Sequence, residues 1–346
     1  ILPEHILSGI PVKGLASSQF ARHPVGSGRF RFGRWDGGSR IEIVADSDNY
    51  RGRARLDRVV WLVSPDMQAA TTRLLAGEAD FLEVVRGPAV DQVAASRRVG
   101  LLTSPSLDYG FLGFNVRRAP FNDRDVRRAL SMAVDRSAMV RNVFDTLAVP
   151  GLGPVTRALP VSGDAVALPY DSAAAAKILA AHGPISFRLL VPTSSAVRMK
   201  YATLLQEQYR HFGVKMTIEP LEVNAFVQRL TKSDFDAVLN AWHSDPSPAA
   251  VVQAWGTAGA PPAGANFAGY ASRSFDALVD SGARSFDPAR AKAFYARAYG
   301  VIDGDAPAVW LYEARNASGV NRRVHVSGVR ADAWWAGLPD WTVDSR

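Results

Sequence analysis

The chain has 346 residues, of which 47% are hydrophobic and 21% charged, a balance typical of globular proteins with sizeable cores. No apolar run reaches the roughly 18–20 residues that a membrane-spanning helix needs. The lack of cysteine excludes disulfides, thiolate metal sites and cysteine nucleophiles. The net charge of +7 comes from basic residues scattered singly or in short pairs, without a helix-turn-helix or zinc-finger pattern, so the sequence does not indicate nucleic-acid binding.

The first third alternates turns and strands. A turn-rich loop over 23–28 precedes short stretches of alternating or β-forming residues, which predict strands over 29–32, 41–44 and 59–63. Residues 66–76 have apolar side chains at helical spacing, and Gly77 is placed as the C-cap. These elements indicate a mixed α/β segment.

The strongest helical pattern covers 123–136. Its apolar stripe has the i, i+3, i+4, i+7, i+8 spacing and consists of Val126, Ala129, Leu130, Ala133 and Val134. Further along, the pattern predicts helices over 171–181, 198–212 and 287–302, and strands over 185–191, 214–218, 235–242 and 307–312. The order strand, helix, strand predicts an α/β domain with parallel pairing.

Several segments, in order, resemble the extracellular solute-binding proteins of the oligopeptide, dipeptide and nickel ABC transporter family, known as family 5. The segments that carry the resemblance are His23–Phe30, Phe114-Asn115, Pro120-Phe121, Val126–Arg136, Ala148–Pro150, Gly153-Pro154, Asp236, Trp242, Asp245, Pro248, Asn266, Tyr270, Phe275-Asp276 and Pro307–Tyr312. Their order and spacing extend over nearly the whole chain, which makes the match specific.

The resemblance implies a two-lobed, periplasmic-binding-protein-like α/β fold with a hinge. We expect part of the first lobe over 1–116, the second lobe over 117–312, and a return to the first lobe over 313–346. The hinge strands are expected near 114–118 and 311–315. Because the family's receptors are longer, we expect the first lobe to be incomplete and an N-terminal portion to be missing.

The resemblance also implies a receptor of an ABC importer, located in the periplasm or at the cell surface. It would bind peptides or similar small solutes between its lobes and deliver them to the permease subunits in the membrane. In peptide-binding members the aspartate of a Trp-x-x-Asp turn pairs with the ligand's amino group, and by position this aspartate is Asp245. Alternatively, Asp245 simply closes an Asx turn with the following Pro246-Ser247-Pro248.

The remaining candidate ligand-binding residues are Trp242, His243, Asn115, Phe114, Tyr109 and Tyr312. Trp242 is either a cleft wall or a core residue. Asn115 bonds either a ligand or its own backbone, and His243 beside Asp245 allows a nickel-chelate cargo. Oligosaccharide cargo and a ligand-sensing domain of a transcriptional regulator are further alternatives.

An enzyme is not indicated. The six histidines have no metal-binding spacing, and the sequence lacks the nucleophile-elbow and phosphate-loop motifs. We therefore expect no catalytic residues, no cofactor and no resident metal. The sequence does not reveal the ligand, the oligomeric state, or a lipid anchor.

Overall fold

The computed structural model describes residues 2–161 and 167–344, and the chain divides into two compact units. Unit 1 comprises residues 1–104 and 316–346, and unit 2 comprises residues 105–315. The chain passes between the units within two long strands. The lobe boundaries expected at 116/117 and 312/313 stay a prediction, since a compact unit need not coincide with a rigid lobe.

Unit 1 is built from short elements. Its helices are α1 (Glu4–Leu7), α2 (Gln19–Arg22), α3 (Met67–Ala76) and α4 (Pro88–Ala94), with 3-10 turns at Val12–Ser17 and Trp334–Asp340. Its strands are β1 (Phe30–Asp36), β2 (Arg40–Ala45), β3 (Arg58–Leu62), β4 (Phe81–Leu82), β11 (Val324–His325) and β12 (Thr342–Val343), together with the start of β5 (Val99–Phe114) and the end of β10 (Ala308–Asn321).

Two apolar groups organise unit 1. Strands β1, β2 and β3 form an antiparallel sheet in which Trp35 pairs with Ile41, and Ile41 pairs with Trp61. Because strand residues alternate between faces, this row of apolar side chains shares one face. Helices α3 and α4 pack against the start of β5 through a separate core that includes Leu74 and Val93.

Unit 2 contains the longer helices and most of the main sheet. Its helices are α5 (Arg124–Met132), α6 (Arg136–Phe144), α7 (Ser172–Ala181), α8 (Ala196–Arg210), α9 (Val223–Thr231), α10 (Val251–Trp255), α11 (Arg273–Ala283) and α12 (Pro288–Asp305), with 3-10 turns at Pro248–Ala250 and Thr257–Gly259. Its further strands are β6 (Ala148–Pro150), β7 (Ser186–Pro192), β8 (Lys215–Leu221) and β9 (Ala237–His243).

The sheet of unit 2 is mixed. Its strand order is β10-β5-β9-β7-β8, with β6 paired to β10. Strand β7 is parallel to both β8 and β9, whereas β5 runs antiparallel to β9. The predicted α/β class with parallel pairing is therefore confirmed.

Successive residues of β7 point to opposite faces of this sheet, and both faces are covered. Leu189 belongs to a large core that also holds residues of α5, α6, α7 and α8. Leu190 packs on the opposite face with Phe226 and Leu230 of α9. Burial on both faces explains why β7 is nearly continuously apolar after Arg188.

Aspartate side chains set the starts of several helices. Asp66, Asp123, Asp171 and Asp287 each accept hydrogen bonds from backbone N–H groups in the first turn, which is the usual role of an N-cap residue. Gly77 takes a φ of 82° at the end of α3, in the left-handed region that glycine enters without strain.

The prediction of one helix over 123–136 is wrong. Helix α5 ends at Met132, and α6 begins at Arg136. The physical reason is a second cap, because the Asp135 carboxylate accepts a hydrogen bond from Ala138 N at 2.9 Å. An aspartate that bonds the N–H three residues ahead starts a new helix and does not continue the old one.

Six charged side chains of unit 2 form a closed ring of ion pairs in which basic and acidic groups alternate. In order around the ring they are Arg118, Asp236, Arg188, Glu219, Arg229 and Asp234, with nitrogen–oxygen distances of 2.7–3.8 Å. The ring connects β7, β8 and α9 with the segments just before β9 and just after β5.

Candidate functional site

The carboxyl ends of β7 and β9 meet at one edge of the sheet, because these strands are parallel. Strand β5 joins the same edge, since Asp108 pairs with His243 and Tyr109 with Trp242. Open α/β sheets bind ligands outside the carboxyl ends of their strands. Five of the seven predicted site residues lie near this edge, whereas Phe114 and Asn115 lie at the other end of β5.

Asp245 lies two residues beyond β9 and is exposed. Its Oδ1 accepts a hydrogen bond from Ser247 N at 2.7 Å, which is the Asx turn that the sequence suggested. That bond fixes the direction of the carboxylate and uses only one of its acceptor sites, because an ionised carboxylate has about four lone-pair sites. The turn and a ligand contact are therefore compatible.

A small cavity of about 20 Å³ adjoins Asp245 and is also lined by Trp242, Tyr109, Ser244 and Tyr299. This volume suffices for one water molecule. The Ser244 Oγ is buried and has no hydrogen-bond partner among the residues that the structure describes. Polar groups thus line a recess directly beside the candidate carboxylate.

Tyr109 forms the floor of this recess. Its side chain is 1% exposed, and its hydroxyl accepts a hydrogen bond from Trp255 Nε1 at 2.9 Å. Burial raises the pKa of Tyr109 well above its ordinary value of 10.0, so the phenol stays neutral at physiological pH. A neutral hydroxyl that already accepts one bond keeps its hydrogen available for donation.

His243 is exposed and paired across the strands. Its Nδ1 lies 2.8 Å from Asp108 Oδ1. Over residues 2–161 and 167–344, no group of three or more His, Asp or Glu side chains is arranged to hold a metal ion. The imidazole therefore has a structural partner, and its contact with a ligand stays a prediction.

Phe114 and Asn115 lie at the other end of β5 and are both buried. The Phe114 ring stacks on Phe121 with centroids 4.6 Å apart. The Asn115 amide donates to the carbonyl oxygens of Ser233 and Phe235, each at 3.0 Å. These carbonyl groups belong to a distant segment, so the amide contact is neither of the two alternatives that the sequence left open for Asn115. A ligand role for either residue remains a prediction.

Tyr312 belongs to an aromatic group on the face of the sheet opposite the small cavity. Its ring centroid lies 4.6 Å from that of Phe144 and 5.1 Å from that of Tyr201. The ring fits closely over Gly110, where a Cβ would lie 2.1 Å from Tyr312 Cε1. Glycine at position 110 is thus required by this close approach.

Three residues at this edge were not selected by sequence reasoning: Asp108, Arg198 and Ser244. The sequence around each of them carries no recognisable motif, because the residues that surround it in space come from distant segments. Burial lowers the pKa of the Arg198 guanidinium, and the Tyr312 phenol, 114 positions further along the chain, opposes that shift. The signal that could have identified Arg198 is a polar residue in the first turn of the helix that follows a strand ending at a ligand edge.

The mixed sheet thus presents polar and aromatic side chains at the carboxyl ends of its strands, where open α/β sheets bind ligands. The profile of the bacterial extracellular solute-binding proteins, family 5 Middle, matches residues 2–263. The chain belongs to this family, and the recognition made from its motifs is confirmed.

Curated relatives agree with this assignment. The oligopeptide-binding protein AppA of Bacillus subtilis is 29% identical, over 91% of this chain and 62% of the relative. The glutathione-binding protein GsiB of Pectobacterium atrosepticum is 26% identical, over 87% of this chain and 61% of the relative. The chain thus spans about six-tenths of the length of these relatives.

Solved structures confirm the expected periplasmic-binding-protein-like fold. HbpA2 from Haemophilus parasuis superposes with a TM-score of 0.85 and 21% identity, covering 100% of this chain and 69% of that one. AppA from Bacillus subtilis, solved with a nonapeptide, gives a TM-score of 0.65 and 25% identity, covering 100% and 72%. Among the described residues, no helix is long and apolar enough to cross a membrane.

Proposed function

We propose that this chain is the ligand-binding part of a receptor for an ABC importer. It binds peptides outside the cytoplasm and delivers them to membrane permease subunits, without chemical conversion of the ligand. The names of the curated relatives support peptide cargo, since one is an oligopeptide-binding and another a glutathione-binding protein. Family membership supports the extracellular location and the receptor role.

The observation that carries this proposal is the Asp245 carboxylate, presented in a fixed orientation at the carboxyl end of β9. A peptide's α-ammonium group loses hydration when it is bound, and an unpaired charge in a dry site is costly. An oriented carboxylate compensates that loss by a charge-assisted hydrogen bond. The Asx turn to Ser247 N means that little conformational entropy is lost when Asp245 binds.

Trp242 and Tyr109 complete the recognition. Trp242 is partly buried, so one side of its indole remains available to pack against a peptide backbone. The Tyr109 hydroxyl and the unpartnered Ser244 Oγ line the recess beside it, where they can bond a ligand group or an ordered water. The chain would then recognise a peptide by the backbone and the amino terminus of that peptide.

The test is isothermal titration of the chain with trialanine and with N-acetyl-trialanine. Asp245→Asn removes the charge yet can keep the Asx turn, and it should weaken trialanine binding about tenfold to a hundredfold. The acetylated peptide should bind weakly to both proteins. Asp46→Asn is the matched control, because Asp46 also accepts a hydrogen bond from the N–H two residues ahead.

Three results would contradict parts of this proposal. Equal trialanine affinity for wild type and Asp245→Asn would remove Asp245 from the amine site. Binding of sugar oligomers or a nickel chelate, without peptides, would refute the peptide cargo. Absence of binding to all three classes would favour the ligand-sensing domain of a regulator.

A further inference from the structure

Residues 151–159 form an irregular segment that follows β6 and lines the recess beside Asp245. Pro154, Val155 and Leu159 contribute to the wall of that recess, and all three are buried. Irregular backbone is uncommon in a protein interior, because its N–H and C=O groups lack the partners that a helix or sheet supplies. The segment therefore depends on contacts from other elements to keep its position.

Glu313 of β10 holds this segment through one residue, Arg157. The Glu313 side chain is 3% exposed, and each of its carboxylate oxygens accepts a hydrogen bond. Oε2 accepts from Arg157 N at 2.7 Å, and Oε1 accepts from Arg157 Nη1 at 2.6 Å. Hydrogen bonds to an ionised group are stronger than those between neutral groups. A single buried carboxylate thus fixes both the main chain and the side chain of Arg157.

A second contact fixes the start of the segment. The backbone of Gly151 lies so close to β10 that a Cβ on it would be 2.9 Å from the carbonyl carbon and oxygen of Trp310. Any side chain at position 151 would therefore push the segment away from the strand. The recess-lining residues Pro154 and Val155 are thus fixed on both sides, by Gly151 before them and by Arg157 after them.

The position of the segment sets the size of the recess. Its volume of about 20 Å³ suffices for one water molecule. When a peptide amine is bound by Asp245, the first side chain of the peptide begins on the α-carbon that carries the amine. That side chain lies next to the recess, and a bulky one fits only if the wall moves away.

We propose that Glu313 is a positioning residue, which acts through Arg157 to hold residues 151–159 against the Asp245 recess and so restricts the first residue of the bound peptide to a small side chain. This inference rests on the proposed peptide-binding function. The selection of small first residues depends on Asp245 as the amine site, whereas the attachment of the segment by Glu313 does not.

Hydrogen–deuterium exchange tests the attachment without any ligand. Glu313→Leu removes both acceptors, so the amides of residues 151–159 should exchange about tenfold faster, because local opening then costs less free energy. Glu313→Gln keeps an oxygen that can accept from Arg157 N, and it should restore part of the protection. Glu219→Gln is the control, because it removes the charge of another carboxylate that an arginine contacts at 2.9 Å. That control should leave the exchange of residues 151–159 unchanged.

Arg157→Met is a second variant, which changes a half-exposed side chain and tests the attachment if Glu313→Leu does not fold. It should also speed up exchange in residues 151–159 and not elsewhere. Unchanged protection of this segment in both folded variants would overturn the inference. Equal acceleration of all slowly exchanging amides would overturn it as well, because it would show general destabilisation and no local attachment.

Isothermal titration with trialanine and with leucyl-alanyl-alanine tests the consequence for selectivity. The wild-type chain should bind trialanine about tenfold more tightly, because the recess has no room for the larger first side chain. The ratio of affinities should approach one in Arg157→Met and stay unchanged in Glu219→Gln. Equal wild-type affinity for both tripeptides, or an unchanged ratio in Arg157→Met, would overturn the size restriction while the peptide receptor stands. If the wild type binds neither tripeptide, the proposed function and the size restriction fail together, and the exchange measurement still decides whether Glu313 holds the segment.

Discussion

Gly110 and Tyr312 give the sharpest test of packing at the ligand edge. A Cβ on Gly110 would lie 2.1 Å from Cε1 and 2.2 Å from Cζ of Tyr312, well inside ordinary van der Waals contact. The ring cannot move freely, because Phe144 and Tyr201 pack against it. Gly110→Ala should therefore cost about 2 kcal/mol of folding free energy, the usual range for overpacking a core.

Urea unfolding followed by tryptophan fluorescence and far-UV circular dichroism would measure this cost. Gly300→Ala is the matched control, because Gly300 is in α12 with no atom within 4 Å of its Cβ position. That control should be neutral or stabilise the chain by up to about 1 kcal/mol, as alanine does in an exposed helix.

A double-mutant cycle separates the clash from other effects of the alanine. In a Tyr312→Ala background the ring is absent, so Gly110→Ala should cost little, and the coupling energy should be about 2 kcal/mol. Additive effects of the two substitutions would refute the reasoning. A cost of Gly110→Ala below about 0.5 kcal/mol would also refute it, because such a value lies within ordinary surface variation.

Two further predictions concern charged groups in unit 2. Burial raises the pKa of Asp303 from 3.8 to about 8. Between these two pH values the folded chain therefore keeps a proton on Asp303 that the unfolded chain has released. The free energy of unfolding should consequently fall by up to about 1.4 kcal/mol per pH unit as pH rises from 4 to 8. Asp303→Asn should remove this slope in melting temperatures, and an unchanged slope would contradict it. Arg188→Met opens the ring of ion pairs and should lower the free energy of unfolding by about 1 kcal/mol at low salt, more than Arg210→Met does. The difference between the two variants should shrink in about 1 M salt, because salt screens charges. A difference that does not depend on salt would count against an electrostatic origin.

Features governed by nearby residues could be predicted from the sequence. Gly77 ends α3 as predicted, because a helix cap depends on residues within one turn. The Asx turn of Asp245 is equally local, since its partner is two residues away. The break between α5 and α6 was missed because the apolar stripe continues past Met132, whereas the Asp135 cap overrides it.

Features that join distant segments could not be predicted in this way. The partners of the Asn115 amide are 118 and 120 residues away, and nothing near Asn115 identifies them. The same holds for Asp108, whose carboxylate pairs with His243, 135 residues away. The resemblance of motifs identified the Asp245 turn, but only the folded structure shows which polar groups lie at the same edge of the sheet.

The three tryptophans of unit 2 differ in a way that gives the chain an optical readout. Trp255 and Trp310 are buried, and their indole N–H groups bond Tyr109 and Asp303. Their fluorescence should therefore be insensitive to solvent. Trp242 is partly exposed beside Asp245, so a peptide that covers it should shift its emission to shorter wavelength. Ligand entry can thus be followed without a label, as a shift superimposed on the emission of the other seven tryptophans.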